Sequence, residues 1–239
     1  MLARSGRGPA GAWAAVMRDA FNQELESLRE SLLRMACHVE RQVDDAVASL
    51  GAPGRGRADR VPGADGEVDE LFRFLRERIF QAIATQHPVA CDLRLLLGAQ
   101  LVSIELERIR DYAAHITRRV ETLADLSRGP VGPELGPMGE LAVRQVHDVL
   151  GALREQNATR AREVAARDGE LDRLYRGTCD RLLQEPRRHG AGVLRTVTLV
   201  NVAHTLERLG DRVVNIAEEV VFLDAGEILR LGPGPAASP

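Results

Sequence analysis

The chain repeats itself. DGEVDELFR at 65 to 73 matches DGELDRLYR at 168 to 176, an offset of 103. VSIELERIRDYAAHITRRV at 102 to 120 matches VAHTLERLGDRVVNIAEEV at 202 to 220, an offset of 100 with seven identities in nineteen. Two segments that recur in the same order, at nearly the same spacing, make chance a poor explanation, so one structural unit occurs twice.

The period inside the unit is helical. Phe21, Leu25, Leu28, Leu32, Met35, Val39, Val43, Ala46 and Leu50 follow one another mostly in steps of four and three, the spacing that lines one side of a long bundle helix. Val68, Phe72, Leu75, Ile79 and Ile83 mark a second helix that stops near His87 and Pro88. A third, from about residue 88 to 126, has the seam Val102, Leu106, Ile109, Ala113, Ile116, Val120 and Leu123. Composition agrees: aromatics are only 3%, and the chain is rich in Leu, Ala, Arg and Glu, residues that lose little side-chain freedom in a helix.

Breaks in composition divide the chain. Residues 51 to 64, GAPGRGRADRVPGA, are too rich in Gly and Pro for a helix to persist, and residues 128 to 137, RGPVGPELGP, read as a linker. The second unit is expected to hold helices at about 138 to 166, 168 to 184 and 193 to 231. The expected architecture is therefore all-α: two tandem three-helix bundles, 17 to 127 and 138 to 231. Residues 1 to 16 and 232 to 239 are expected to be disordered.

Charge and cysteine content exclude several classes of function. The net charge is -3 and all 32 basic residues are Arg, interspersed with 35 acidic ones, so no basic stripe is available to track a nucleic-acid backbone. Cys37, Cys91 and Cys179 are odd in number and lack Cys-x-x-Cys spacing, which suggests neither a disulfide framework nor a thiolate zinc site and fits a reducing cytoplasm. No apolar run is long enough to span a bilayer. The absence of Lys rules out a Gly-Lys-Ser phosphate loop, no Glu stands three residues before any of the six His, and no His-Glu-x-x-His occurs. The chain is expected not to be an enzyme.

What the repeats do carry is acid at i, i+4: Asp65 with Asp69, Glu107 with Asp111, Asp168 with Asp172, and Glu207 with Asp211. Such partners lie one turn apart on one face of a helix and repel by a few tenths of a kcal/mol. A hard cation bridging two carboxylates from each of two neighbouring helices would relieve that repulsion. An outward, solvated face would give the same pattern, since Glu107 and Asp111 point away from the seam of Val102, Leu106 and Ile109 and have Arg108 beside them. Recurrence of all four pairs favours metal, with His115 in the first unit and His204, Asn215 and Glu218 in the second as further ligand candidates. Carboxylates suit magnesium, calcium, manganese or iron, and the imidazoles would admit zinc.

LERIRDYAAHI at 106 to 116 and LERLGDRVVNIAEEVVFL at 206 to 223 resemble the two signature helices of the PhoU family, bacterial regulators of phosphate uptake and phosphate signalling. HPVACDLRLLLGAQLVSIELERIRD at 87 to 111 is similar to the stretch leading into the first signature, and the resemblance spans about 17 to 231. It implies paired three-helix bundles related by a pseudo-twofold axis, with multinuclear metal clusters on Asp65 and Asp69, Glu107 and Asp111, Asp168 and Asp172, and Glu207 and Asp211. It further implies a non-enzymatic negative regulator that couples a phosphate ABC transporter ATPase to a sensor histidine kinase.

The first signature departs from the family pattern, with Arg110, Tyr112, His115 and Thr117 where Gly, His, Asn and Ala are favoured. The second unit is accordingly the expected place of an intact site. Met17, Arg18 and Phe21 match the family's usual beginning, so translation is expected to start at Met17. A cytoplasmic homodimer, peripheral to the membrane only through its partners, is expected. The alternative function is a metal-binding or metal-storage helical protein with no signalling partner.

Overall fold

A computed structural model describes residues 9 to 51, 61 to 126, 132 to 184 and 190 to 232. Among these residues the secondary structure is helical, without strands. The first unit comprises α1 (Pro9–Gly51), α2 (Val61–Gln86) and α3 (Ala90–Leu126). A short 3-10 turn, Pro133–Leu135, leads into α4 (Gly136–Glu155), α5 (Ala158–Ala165), α6 (Asp168–Gln184) and α7 (Gly190–Ala225).

The apolar seams are the core. Every residue of the α1 series from Phe21 to Leu50 and of the α3 series from Val102 to Leu123 is buried, together with Val68, Leu75 and Ile79 of α2. The two units do not keep separate interiors. α3 and α7 run along each other at the centre, α1 lies against α3 and α4 against α7, and residues of both units join one hydrophobic cluster. No helix among the described residues is long and apolar enough to cross a membrane.

Several boundaries differ from expectation. Helix α1 begins at Pro9, so the part of the expected extension that is described, from residue 9, is helical; proline suits a first turn, where its missing N–H has no partner to lose. The Gly and Pro break is shorter than 51 to 64 on its C-terminal side, because α2 already starts at Val61 with Pro62 in its first turn. Residues 52 to 60, and the tail from 233, lie outside the described residues.

The single helix expected over 138 to 166 is two helices. Gln156 adopts a left-handed conformation (φ 49°). Its N–H bonds Leu153 O at 3.2 Å while the N–H of Asn157 bonds Ala152 O at 3.0 Å, closing α4 with the paired hydrogen bonds of a Schellman end. Asn157 then caps α5, its Oδ1 accepting from the N–H of Arg160 at 3.0 Å. The apolar period continues on both sides of this break, which is why spacing alone misses it.

The last helix stops at Ala225, six residues short of the expected end. Gly226 provides the positive φ (72°) that ends it, and a strap of residues 226 to 232 folds back along α7. The strap is held where Glu218 Oε1 accepts the N–H of Leu231 at 2.7 Å and where Arg162 meets Glu227 at 2.7 Å.

Candidate functional site

The acids whose side chains are described fall into two clefts, one per unit. Glu107 and Asp111 of α3 face Asp69 of α2, and Glu207 and Asp211 of α7 face Asp168 and Asp172 of α6. The face of each long helix turned away from its apolar seam is thus not simply bathed in water, because the shorter helix lies beside it. Asp168 is buried, and Glu107 and Glu207 keep only 29% and 24% of their side-chain surface. The side chain of Asp65 lies outside the described residues, and His115 is exposed on α3.

The first cleft contains its own cation. Arg110 reaches from α3 with its Nη2 donating to Asp69 Oδ1 at 2.8 Å and to Glu107 Oε1 at 3.4 Å, and standing 3.5 Å from Asp111 Oδ1. The guanidinium side chain is 13% exposed. Burial and Asp111 push the Glu107 carboxyl up, while Arg110 pulls it back down. Arg108, the expected neutraliser, instead pairs with Glu105.

In the second cleft no guanidinium among the described residues hydrogen-bonds the acids; its arginine, Arg212, is 14% exposed with Nε buried and unbonded, and reaches only Asp211, at 3.8 Å. Asp168, Asp172, Glu207 and Asp211 line one cavity of about 440 Å³, extended along α7 by Asn215 and Glu218. Arg212 and Arg230 stand in its wall, but Arg212 is turned toward Glu105 of α3 at 3.3 Å and is 3.8 Å from Asp211. Burial, and then repulsion from Asp172, Asp211 and Glu207, pushes the Asp168 carboxyl up to about 6. Burial and Asp211 raise Glu207 as well; its Oε2 is buried without a hydrogen bond, 3.4 Å from His204 Nδ1. A buried carboxylate oxygen without a hydrogen bond is costly, and a cation would satisfy it.

Gly210 makes this cleft possible. A Cβ at that position would stand 2.7 Å from Leu171 Cδ2, 3.5 Å from Asp168 Oδ1 and 3.7 Å from Gln145 Oε1. Its absence lets α6 lie close against α7 and leaves polar oxygens around a bare stretch of helix. The residue at the matching place in the first repeat is Arg110, at the offset of 100.

Of the further ligand candidates, His204 is half exposed with its ring 5.9 Å from that of Tyr175, Asn215 lines the cavity, and Glu218 already gives one oxygen to the strap. As the side chains stand, no three carboxylate, imidazole or thiol groups among the described residues converge tightly enough to hold an ion.

Sequence spacing missed Gln145. It is buried on α4, gives its Nε2 to Arg167 O at 3.4 Å, and leaves Oε1 without a partner beside Gly210 and Asp168. A signal was present: Arg-Gln-Val-x-Asp occurs at 41 to 45 and again at 144 to 148, at the same offset of 103 as the acidic motif, and Gln42 is buried too. Glu219 was also missed; burial, with Glu218 and Glu105 nearby, raises its carboxyl to about 7.

Comparison with known proteins places this geometry. The profile of a family described as PhoU domain matches twice, at residues 32–120 and 135–220. The phosphate-specific transport system accessory protein PhoU homolog of Pseudomonas putida is 34% identical over 211 residues, covering 88% of this chain and 82% of that protein. The accessory protein PhoU of Escherichia coli K12 is 30% identical over 210 residues, covering 88% and 87%. The crystal structure of PhoU from Pseudomonas aeruginosa superposes with a TM-score of 0.80 at 33% identity, over 87% of this chain and all of that one.

Proposed function

The chain belongs to the PhoU family, and from that premise we propose that it is an accessory negative regulator of phosphate uptake, acting as an adaptor between a phosphate ABC transporter ATPase and a sensor histidine kinase. The observation that carries this reading is coverage: both repeats match the family, and the relatives aligned over 88% of the chain are named phosphate-specific transport system accessory proteins. The surface is in keeping with work done through protein contacts. Phe80, Leu97, Leu101 and Ile228 are exposed apolar side chains around two adjoining grooves that share Leu97 and Gln100.

In this reading the second cleft holds a divalent cation. Asp168, Asp172, Glu207 and Asp211 supply the hard oxygen ligands, with the orphaned Glu207 Oε2 and Gln145 Oε1 at hand. The bound ion would neutralise the cleft and fix α6 against α7. Storage of metal has less support, since a cavity of about 440 Å³ open at the surface has no interior for a reserve of ions.

The test is genetic. Deleting the gene is expected to switch on phosphate-starvation genes in cells grown in ample phosphate, read as alkaline phosphatase or transporter transcript levels, and restoring the intact gene is expected to switch them off. Expression unchanged by the deletion would count against the regulatory role.

A further inference from the structure

We infer that Arg110 is the resident cation of the first cleft, so that the chain takes up metal in its second repeat alone. The inference deepens the proposed metal site and rests on it for the second repeat, but what it says of the first repeat stands on separate observations.

A guanidinium nitrogen within 3.5 Å of three carboxylates from two helices occupies the position a bridging cation would need. It joins α3 to α2, the same junction an ion would make. The side chain is largely withdrawn from water, and its Nε is buried with no hydrogen-bond partner. An arginine held in that way is retained by the charge around it rather than by a complete set of hydrogen bonds.

A divalent ion entering this cleft would have to displace the guanidinium or sit beside a like charge, and either costs binding energy. The acidic ligands are therefore present in both repeats, while the space between them is filled by a side chain in one and free in the other. At the position matching Arg110, Gly210 has no side chain to offer, and Arg212 in the cavity wall gives its Nη1 to Glu105 at 3.3 Å and comes no closer to Asp211 than 3.8 Å. One repeat is thereby closed permanently by the chain itself, and the other closes only when an ion arrives.

The experiment is equilibrium dialysis of the full chain against manganese(II) chloride, with metal per chain measured by mass spectrometry. Wild-type protein is expected to bind manganese in an amount unaffected by Glu107→Gln with Asp111→Asn and removed by Glu207→Gln with Asp211→Asn. Arg110→Ala is expected to bind at least one further equivalent, which disappears when Glu107→Gln is added. Arg110→Gln, which keeps the length of the side chain and removes its charge, guards against misfolding of the alanine variant.

Loss of wild-type manganese on changing Glu107 and Asp111, or no surplus in either Arg110 variant, would overturn the inference. A wild-type protein that binds no manganese while the Arg110 variants do would support Arg110 as the cation of the first cleft and would overturn metal uptake by the second.

Discussion

In chelator at pH 8, Asp168→Asn should be more stable than the wild-type chain by about 2 kcal/mol, a rise in Tm of roughly 4–8 °C for a chain of this size. The wild-type carboxyl is buried among three others and its pKa is lifted to about 6, so folding brings charge into a place that disfavours it. The sign follows from proton binding. Between the ordinary value of 3.8 and the folded value of about 6 the folded state holds more protons than the unfolded one. Wild-type stability from this group is therefore complete below 3.8 and is lost as pH rises through 6.

Asparagine does not titrate, so its advantage should be full above pH 6 and fade to nothing near pH 4. Manganese should reverse the order. An ion at one hundred times its dissociation constant stabilises by about 2.7 kcal/mol, available to the wild-type cleft and not to the variant. Thermal melts by circular dichroism across pH, with EDTA and with manganese, check both halves. A variant less stable than wild type in EDTA at pH 8 would contradict this account of the cleft.

Leu106→Ala and Leu206→Ala should each cost about 2–5 kcal/mol and yet leave a single unfolding transition. Both side chains are fully buried, Leu106 on α3 and Leu206 on α7, the two helices that pack together at the centre. Removing three heavy atoms from either leaves a cavity in a cluster fed by both repeats. Because that cluster is continuous, weakening one repeat weakens the other, and the melt of either variant should shift as a whole. Calorimetry showing two resolved transitions, with only the altered repeat destabilised, would show that the repeats fold as separate units.

The parts of the structure that were legible in the sequence are those set by period. Steps of four and three from Phe21 to Leu50 and from Val102 to Leu123 can bury one face only as long helices, and they do. The recurrence of DGE-x-D and LER-x-x-D gave two like units and marked the acids that recur in both. Helix ends were less legible, since they depend on single residues. Gln156 carries no steric mark of a left-handed residue as glycine would, and the one local sign of a break there is Asn157 as a cap.

At the site, the acids were visible and their surroundings were not. Arg110 stood out as a residue foreign to the family pattern, but spacing cannot tell whether an arginine on a helix points to water or back between two carboxylates. That depends on α2 lying beside α3, with Asp69 in reach. Gly210 and Gln145 matter for a similar reason: one works by the absence of a side chain at a helix crossing, the other by an amide oxygen left over after its single hydrogen bond. The same crossings explain why acids opposite an apolar seam are only partly exposed.

The most direct measurement of the difference between the two clefts is anomalous scattering from crystals of the full chain soaked in manganese(II). A peak is expected between α6 and α7, among Asp168, Asp172, Glu207 and Asp211, with density for the Arg110 side chain and no peak between α2 and α3. A peak beside Glu107 and Asp111 with Arg110 swung away would contradict the assignment of Arg110 to the first repeat, and no peak in either cleft would contradict the assignment of metal to the second.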